Sequence, residues 1–144
     1  MTGRTESEHL DQLIEEMEGL LAVAPAWLST PAGRLEFLRV YAKVLLEHRD
    51  SVRLLVRGPP VDGGPATDRA RAVHRRLTER LAGPRADLET RVRACMALSG
   101  LCGAVTATRD GDVATVLRVS VQSSLAALGG TAAAAGQARR SPAP

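Results

Sequence analysis

The chain has 144 residues, of which 44% are hydrophobic, 24% charged and only 2% aromatic, and its formal net charge is +3. This length is typical of a single domain that buries its own core. The few aromatic residues exclude a stacking platform for single-stranded nucleic acid, and the abundance of alanine, leucine and arginine favours helices over an all-β fold.

Apolar residues at spacings of three and four predict helices along the whole chain. Thr5 and Glu8 have the spacing of a capping box, which begins the first helix. The Ala-Pro pair that ends at Pro25 is expected to stop this helix and to leave Trp27 in the connection. Thr30, which is followed by a proline, predicts the N-cap of a second helix.

Two further helices are predicted on either side of a loop that is rich in glycine and proline. Asp50 is expected to cap a short third helix over residues 51–57, whose buried side consists of Val52, Leu55 and Val56. Thr67 is expected to cap the fourth helix, which ends at a Gly-Pro pair. The inward face of the fourth helix is predicted to contain Ala70, Val73, His74, Leu77 and Leu81.

The last two helices are predicted to form an apolar hairpin. The fifth runs from about Arg85 to Thr108 and is apolar almost all round in its second half, so we expect it to be buried on all sides. Asp112 is expected to cap the sixth, with these residues facing inward: Val113, Val116, Leu117, Val121, Leu125 and Leu128. Residues 1–130 are therefore predicted to be one all-α, six-helix domain, followed by a disordered low-complexity tail at 131–144.

No combination of side chains in the sequence predicts catalysis. The paired carboxylates lie on a solvated helix face, and a structural or exposed position is expected for each histidine, although His74 lies at an apolar edge. No H-x-x-x-H, H-E-x-x-H or C-x-x-C spacing occurs, so neither a metal nor a cofactor is predicted. The chain is therefore not expected to be an enzyme.

The sequence also predicts a cytoplasmic location. Cys95 and Cys102 are too few for a disulfide framework and are expected to be buried thiols in a reducing cytosol. The N-terminal segment is acidic and lacks the apolar stretch of an export signal. Neither of the two uncharged stretches is long and apolar enough for a membrane span, so no membrane partner is predicted.

The two closing helices have more apolar surface than a small bundle needs. Small residues at 99, 103 and 107 permit close helix approach, which favours a four-helix interface with a second copy of the chain. The alternative is that the chain's own helices cover these faces. The residues predicted to form the dimer interface are Leu98, Leu101, Val105, Val121, Leu125 and Leu128.

The order of these elements resembles a known family. The segment Leu35–Arg57, LEFLRVYAKVLLEHRDSVRLLVR, is similar to the helix–break–helix segment in the regulatory domain of TetR-type transcriptional regulators. Gly3-Arg4-Thr5-Glu6 and the leucines that follow resemble the start of the first regulatory helix of that family, and the closing helices resemble its dimerisation pair. The resemblance covers roughly residues 3–128.

This resemblance implies a dimeric regulatory domain that binds a small apolar or amphipathic effector in a pocket between its early helices. The residues expected to line that pocket are Trp27, Phe37, Tyr41, His74, Cys95 and Ser99. The many arginines give no reason to favour an anionic effector, because the sequence places none of them on an evident pocket face. The helix-turn-helix of the family is missing before residue 3, so contact with DNA is expected only through a unit that this sequence lacks.

Several alternatives stay open on the sequence alone. The chain is expected to be a fragment, a product of a shortened gene or a stand-alone relative of the sensor domain. The leading hypothesis is an effector-sensing, dimerising domain of a TetR-like regulator. The alternative is a stand-alone helical protein that forms heterodimers with an intact regulator and modulates it. A small helical enzyme or carrier is the third hypothesis, for which no catalytic residues were found.

Overall fold

A computed structural model of the chain describes residues 5–56, 64–108 and 112–129. These residues form six α-helices and no strand, which confirms the predicted all-α fold. No helix in the described ranges combines the length and the apolarity that crossing a membrane requires. The helices are α1 (Glu6–Trp27), α2 (Pro31–Glu47), α3 (Arg49–Val56), α4 (Pro65–Ala82), α5 (Leu88–Ala107) and α6 (Val113–Ala127).

The predicted helix starts at Thr5, Thr30 and Asp112 are confirmed by hydrogen bonds. The backbone N–H of Thr5 donates to the Glu8 carboxylate over 3.1 Å, and the N–H of Glu8 donates to Thr5 Oγ1 over 3.3 Å. Both halves of the capping box are therefore present. Thr30 Oγ1 accepts from the third residue of α2 over 3.0 Å, and Asp112 accepts from Ala114 over 3.2 Å.

Four predicted boundaries are wrong, one of them the start of α5, which begins at Leu88 after the cap Asp87 and not at about Arg85. Helix α1 continues through Pro25 and ends at Trp27, because a proline near the last turn removes a single backbone donor and the turn still closes. Helix α4 begins at Pro65 without a side-chain cap, so Thr67 lies inside it. A proline in the first turn needs no backbone donor, which explains the earlier start. Helix α3 begins at Arg49, one residue before the predicted cap, Asp50.

The core lies where α1, α2, α4 and α5 meet. Helix α1 packs against α4 and α2, while α5 packs against α6, α4 and α3, and α6 also lies against α2. The fourth helix contributes the predicted inward face, since Ala70, Val73, Leu77 and Leu81 are all buried. Tyr41 of α2 is fully buried, and its ring lies parallel to that of Phe37, with 6.1 Å between the ring centroids.

Some residues predicted to be buried are exposed. On α5, Met96 is 64% exposed and Cys95 is also exposed, so this helix is not buried on all sides within the chain. Val113 of α6 is 56% exposed, and Val56 of α3 is 49% exposed. The physical reason is that α5 and α6 have one face on the other helices of the chain, while no described element packs on their opposite face.

The first turn of α2 requires a glycine where it approaches the end of α1. A Cβ atom added to Gly33 would lie 1.7 Å from the carbonyl oxygen of Trp27, which is backbone and has little freedom to move. By contrast, a Cβ atom on Gly19, in the middle of α1, would meet nothing within 4 Å. The first turn of α2 therefore depends on the missing side chain of Gly33 for its close approach to α1.

Alanine substitution at these two glycines is expected to have opposite effects on stability. Gly33→Ala should lower the free energy of unfolding by about 1–3 kcal/mol, because the new methyl group forces α1 and α2 apart. Gly19→Ala should raise it by roughly 0.5–1 kcal/mol, since alanine restricts the unfolded chain and fits an open helix position. Urea denaturation of both variants and the parent measures the difference, and equal effects at the two positions would contradict the close approach.

Candidate functional site

A cavity of about 310 Å³ lies between the first five helices. This volume is at the lower end of the range for small-molecule sites, roughly 300–1,000 Å³. Most of its wall is apolar and comes from α1, α2 and α3, with Leu13, Met17, Leu45 and Val52 among the residues that line it. Such a wall favours a ligand that is largely hydrophobic.

The polar side of the cavity is built around a buried tyrosine. The hydroxyl oxygen of Tyr41 and Nδ1 of His74 lie 2.7 Å apart, which is a short hydrogen bond between α2 and α4. Burial raises the pKa of Tyr41 well above its usual 10.0, and the neighbouring Cys102 raises it further. Burial also lowers the pKa of His74 below 6.5. Both side chains are therefore neutral at neutral pH.

Cys102 of α5 completes this polar group. Burial raises the pKa of its thiol to about 11, although a hydrogen bond with the Tyr41 side chain acts in the opposite direction. The thiol is therefore protonated at neutral pH. Since an imidazole nitrogen is a much better acceptor than a thiol sulfur, the Tyr41 hydroxyl donates to His74 Nδ1. The proton of the neutral His74 ring is then on Nε2, which makes this nitrogen a hydrogen-bond donor.

The structure brings together half of the predicted ligand-binding residues. Tyr41, His74 and Ser99 line the cavity. Phe37 is fully buried and stacks on Tyr41 outside the lining. The other two lie elsewhere: Trp27 is half-buried at the end of α1, and Cys95 is exposed, with its sulfur 3.9 Å from Ser99 Oγ.

Two polar residues of the cavity, Arg71 and Cys102, are absent from the predicted set. Both carry a signal that helical spacing provides. Arg71 precedes His74 by three residues on α4, and Cys102 follows Ser99 by three residues on α5, so each shares a helix face with a residue that was predicted. Applying the helical period to the pocket residues would have found both.

A buried arginine joins the α3 wall of the cavity to α5. The Arg53 side chain is only 11% exposed; its Nη1 lies 3.3 Å from Asp50 Oδ1, and its Nη2 donates to the Thr106 carbonyl oxygen over 3.3 Å. This carbonyl belongs to the last turn of α5, where a cation is favourable for the helix dipole. Arg53 therefore holds one wall of the cavity against the helix that supplies Ser99 and Cys102.

A separate group of side chains offers possible metal ligands. Atoms of Glu16, Glu47 and His48 lie within 4.8 Å of one another, and His48 Nε2 is 3.0 Å from Glu16 Oε2. The hydrogen bond between His48 and the half-buried Glu16 accounts for the approach of these two side chains, and Glu47 is an exposed carboxylate. We therefore assign no metal to this group.

The outer face of α5 and α6 forms an apolar groove away from the cavity. Its lining residues are all uncharged and include Met96, Gly100, Val119, Ser123 and Ala127. In a chain with 24% charged residues, an uncharged groove between two surface helices is an unusual feature.

The residues predicted for the dimer interface lie mostly on the other face of these helices. Their side chains pack within the chain, whereas Met96 and Val119 of the uncharged groove are exposed. The first four are buried and the last two half-buried: Leu98, Leu101, Val105, Val121, Leu125 and Leu128.

No protein-family model, curated protein or solved structure matches this chain in the comparisons.

The lowered pKa of His74 predicts a pH dependence of stability. In the unfolded chain its imidazole has an ordinary pKa of 6.5 and takes up a proton as the pH falls, whereas the folded protein resists protonation until a lower pH. The unfolded state then binds more protons, so the contribution of His74 is complete above pH 6.5 and is lost as the pH falls below it. The parent protein should therefore lose stability as the pH falls below 6.5.

The variant His74→Gln should lack this part of the pH dependence, because its amide oxygen still accepts from Tyr41 but does not titrate. His9→Gln is the matched control, since His9 is exposed at the start of α1. Urea denaturation across the pH range measures both. A slope that is the same for His74→Gln and the parent would show that His74 is not held neutral.

Proposed function

We propose that this chain is an effector-sensing, dimerising regulatory domain of a TetR-like transcriptional regulator. In this proposal a small molecule binds in the cavity between α1 and α5, and its binding is coupled to control of a DNA-binding unit that lies outside this sequence. The observation that supports it best is the apolar cavity of about 310 Å³ with the Tyr41–His74 hydrogen bond on its polar side. An apolar wall with a few placed polar groups is typical of a small-molecule site.

The local structure of the segment that resembles the family is consistent with this proposal. Helix α2 ends at Glu47, His48 follows as its C-cap, and the short α3 begins at Arg49. This is the helix–break–helix arrangement on which the resemblance rests. The segment also contributes to the cavity, since Tyr41 and Val52 both line it.

The uncharged groove on α5 and α6 supports the dimerisation part of the proposal. Met96 and Val119 are 64% and 46% exposed, and both line the groove beside small residues that permit close helix approach. A two-fold symmetric contact places the same surface of each copy against the other, so a surface without charge meets no like-charge repulsion. Two α5–α6 pairs would then form a four-helix interface.

The alternative function, a stand-alone protein that pairs with an intact regulator, would use the same groove. The two functions differ in the partner and not in the surface. Co-expression with a longer homologue separates them: preferential capture of the longer chain supports the alternative, while formation of the homodimer alone supports the leading proposal.

A neutral fluorescent probe tests ligand binding in the cavity. N-phenyl-1-naphthylamine, whose fluorescence rises in an apolar site, should bind the parent protein. Ala70→Met should weaken binding by about tenfold or more, because Ala70 lines the cavity and the flexible methionine side chain fills it. Ala72→Met is the control on the same helix, since Ala72 lies outside the lining.

Thermal melting monitored by circular dichroism establishes that both variants fold. If Ala70→Met is unfolded, Ser99→Leu replaces it, because Ser99 lines the cavity from an exposed position on α5. Equal binding by the cavity variant and its control would place the probe elsewhere and would contradict the proposed site.

Sedimentation velocity tests dimerisation. The parent protein should sediment as a dimer at micromolar concentration. Met96→Glu and Val119→Glu should sediment as monomers. In a two-fold symmetric dimer each substitution would bury two unpaired carboxylates in the interface, one from each copy. Val23→Glu should remain dimeric, since Val23 has a comparable exposure of 44% but lies on α1. A monomeric parent protein would overturn this part of the proposal.

A further inference from the structure

Among the residues that the structure describes, one permanently charged residue lines the cavity, Arg71. This side chain is exposed, so its guanidinium belongs to the rim of the cavity and not to its deepest part. Because His74 lies three residues further along α4, the two side chains share a helix face. The polar groups of α4 are therefore gathered at one side of a cavity whose remaining wall is largely apolar.

Some arginines of the described residues pair with acidic side chains, and Arg71 does not. Arg69 is 3.2 Å from Glu18, and Arg93 is 3.0 Å from Glu89. Within the ranges that the structure describes, Arg71 has neither an ion pair nor a hydrogen bond. Its charge is therefore available to a ligand that enters the cavity.

The neighbouring residue His74 also has a hydrogen-bond donor. His74 is neutral and accepts from Tyr41 at Nδ1, so the proton on its Nε2 makes it a donor. A guanidinium has five N–H donors and no acceptor. Arg71 thus gives the α4 side of the cavity a positive charge with hydrogen-bond donors, which suits a group that only accepts hydrogen bonds and is negatively charged.

We infer that the cavity takes a small amphiphile with a monocarboxylate head, which Arg71 binds at the rim while an aliphatic tail lies against Leu13, Met17 and Leu45. This inference rests on the proposed ligand-binding function of the cavity and specifies the class of its ligand. An ammonium head is excluded, because it would meet the like charge of Arg71. A neutral alcohol forms a hydrogen bond there but lacks the charge attraction.

Two probes with the same aliphatic chain and different heads test this inference. Isothermal titration calorimetry compares octanoate, which is an anion, with 1-octanol, which is neutral. The parent protein should bind octanoate about tenfold more tightly than 1-octanol, a difference expected of a partly exposed, charge-assisted hydrogen bond. Arg71→Gln should abolish this preference by weakening octanoate alone, with 1-octanol unchanged within about twofold.

Arg76→Gln is the matched control, because Arg76 is an exposed arginine on the same helix and lies outside the cavity lining. It removes the same net charge and should keep the preference for octanoate. Equal weakening of octanoate in both variants would overturn the inference, since the attraction would then come from the overall charge of the protein.

The remaining outcomes separate the ligand class from the proposed function. If octanoate and 1-octanol bind the parent equally and Ala70→Met weakens both, the inference about the carboxylate is overturned while the cavity remains a binding site. If neither probe binds, and N-phenyl-1-naphthylamine also fails, both the inference and the proposed function are overturned.

Discussion

A phenol hydroxyl that is buried in an apolar core needs a hydrogen-bond partner, and in this protein His74 provides it for Tyr41 over 2.7 Å. A hydroxyl left without a partner there would cost about 1–3 kcal/mol. The bond joins α2 to α4 at the polar side of the cavity and determines which nitrogen of His74 has the proton. Arg71, three residues before His74, lies on the same face of α4 and also lines the cavity.

Helix α5 shows how one element serves two surfaces. Ser99 and Cys102 face the cavity, while Met96 and Gly100 line the uncharged groove. The period of 3.6 residues per turn distributes these neighbouring positions over two sides of the same helix. In the proposed function, a ligand and a second copy would therefore contact one rigid element, and coupling between them would require that the ligand favours one packing of α5 over another.

The sequence predicted the helices better than it predicted the site. Spacing, capping residues and Gly-Pro pairs located all six helices, with errors of a few residues where Pro25 and Pro65 fit inside a helix. For the site, Tyr41 and His74 were found because each lies on an apolar helix face. Trp27 was expected beside them from the resemblance, yet its place at the end of α1 keeps it outside the cavity lining.

The all-α fold, the helix order and the apolar face of α4 follow from the sequence by itself, because they depend on interactions between residues close along the chain. The sequence by itself does not determine which side of α5 packs against the core. A helix that is apolar nearly all round has no periodic signal to show which side meets the core, so only packing against α2, α3, α4 and α6 decided that Leu98 is buried and Met96 exposed. The packing of α4 against α1 and α5 likewise decided that a cavity lies beside Arg71; the spacing from His74 indicates only the helix face that the two residues share.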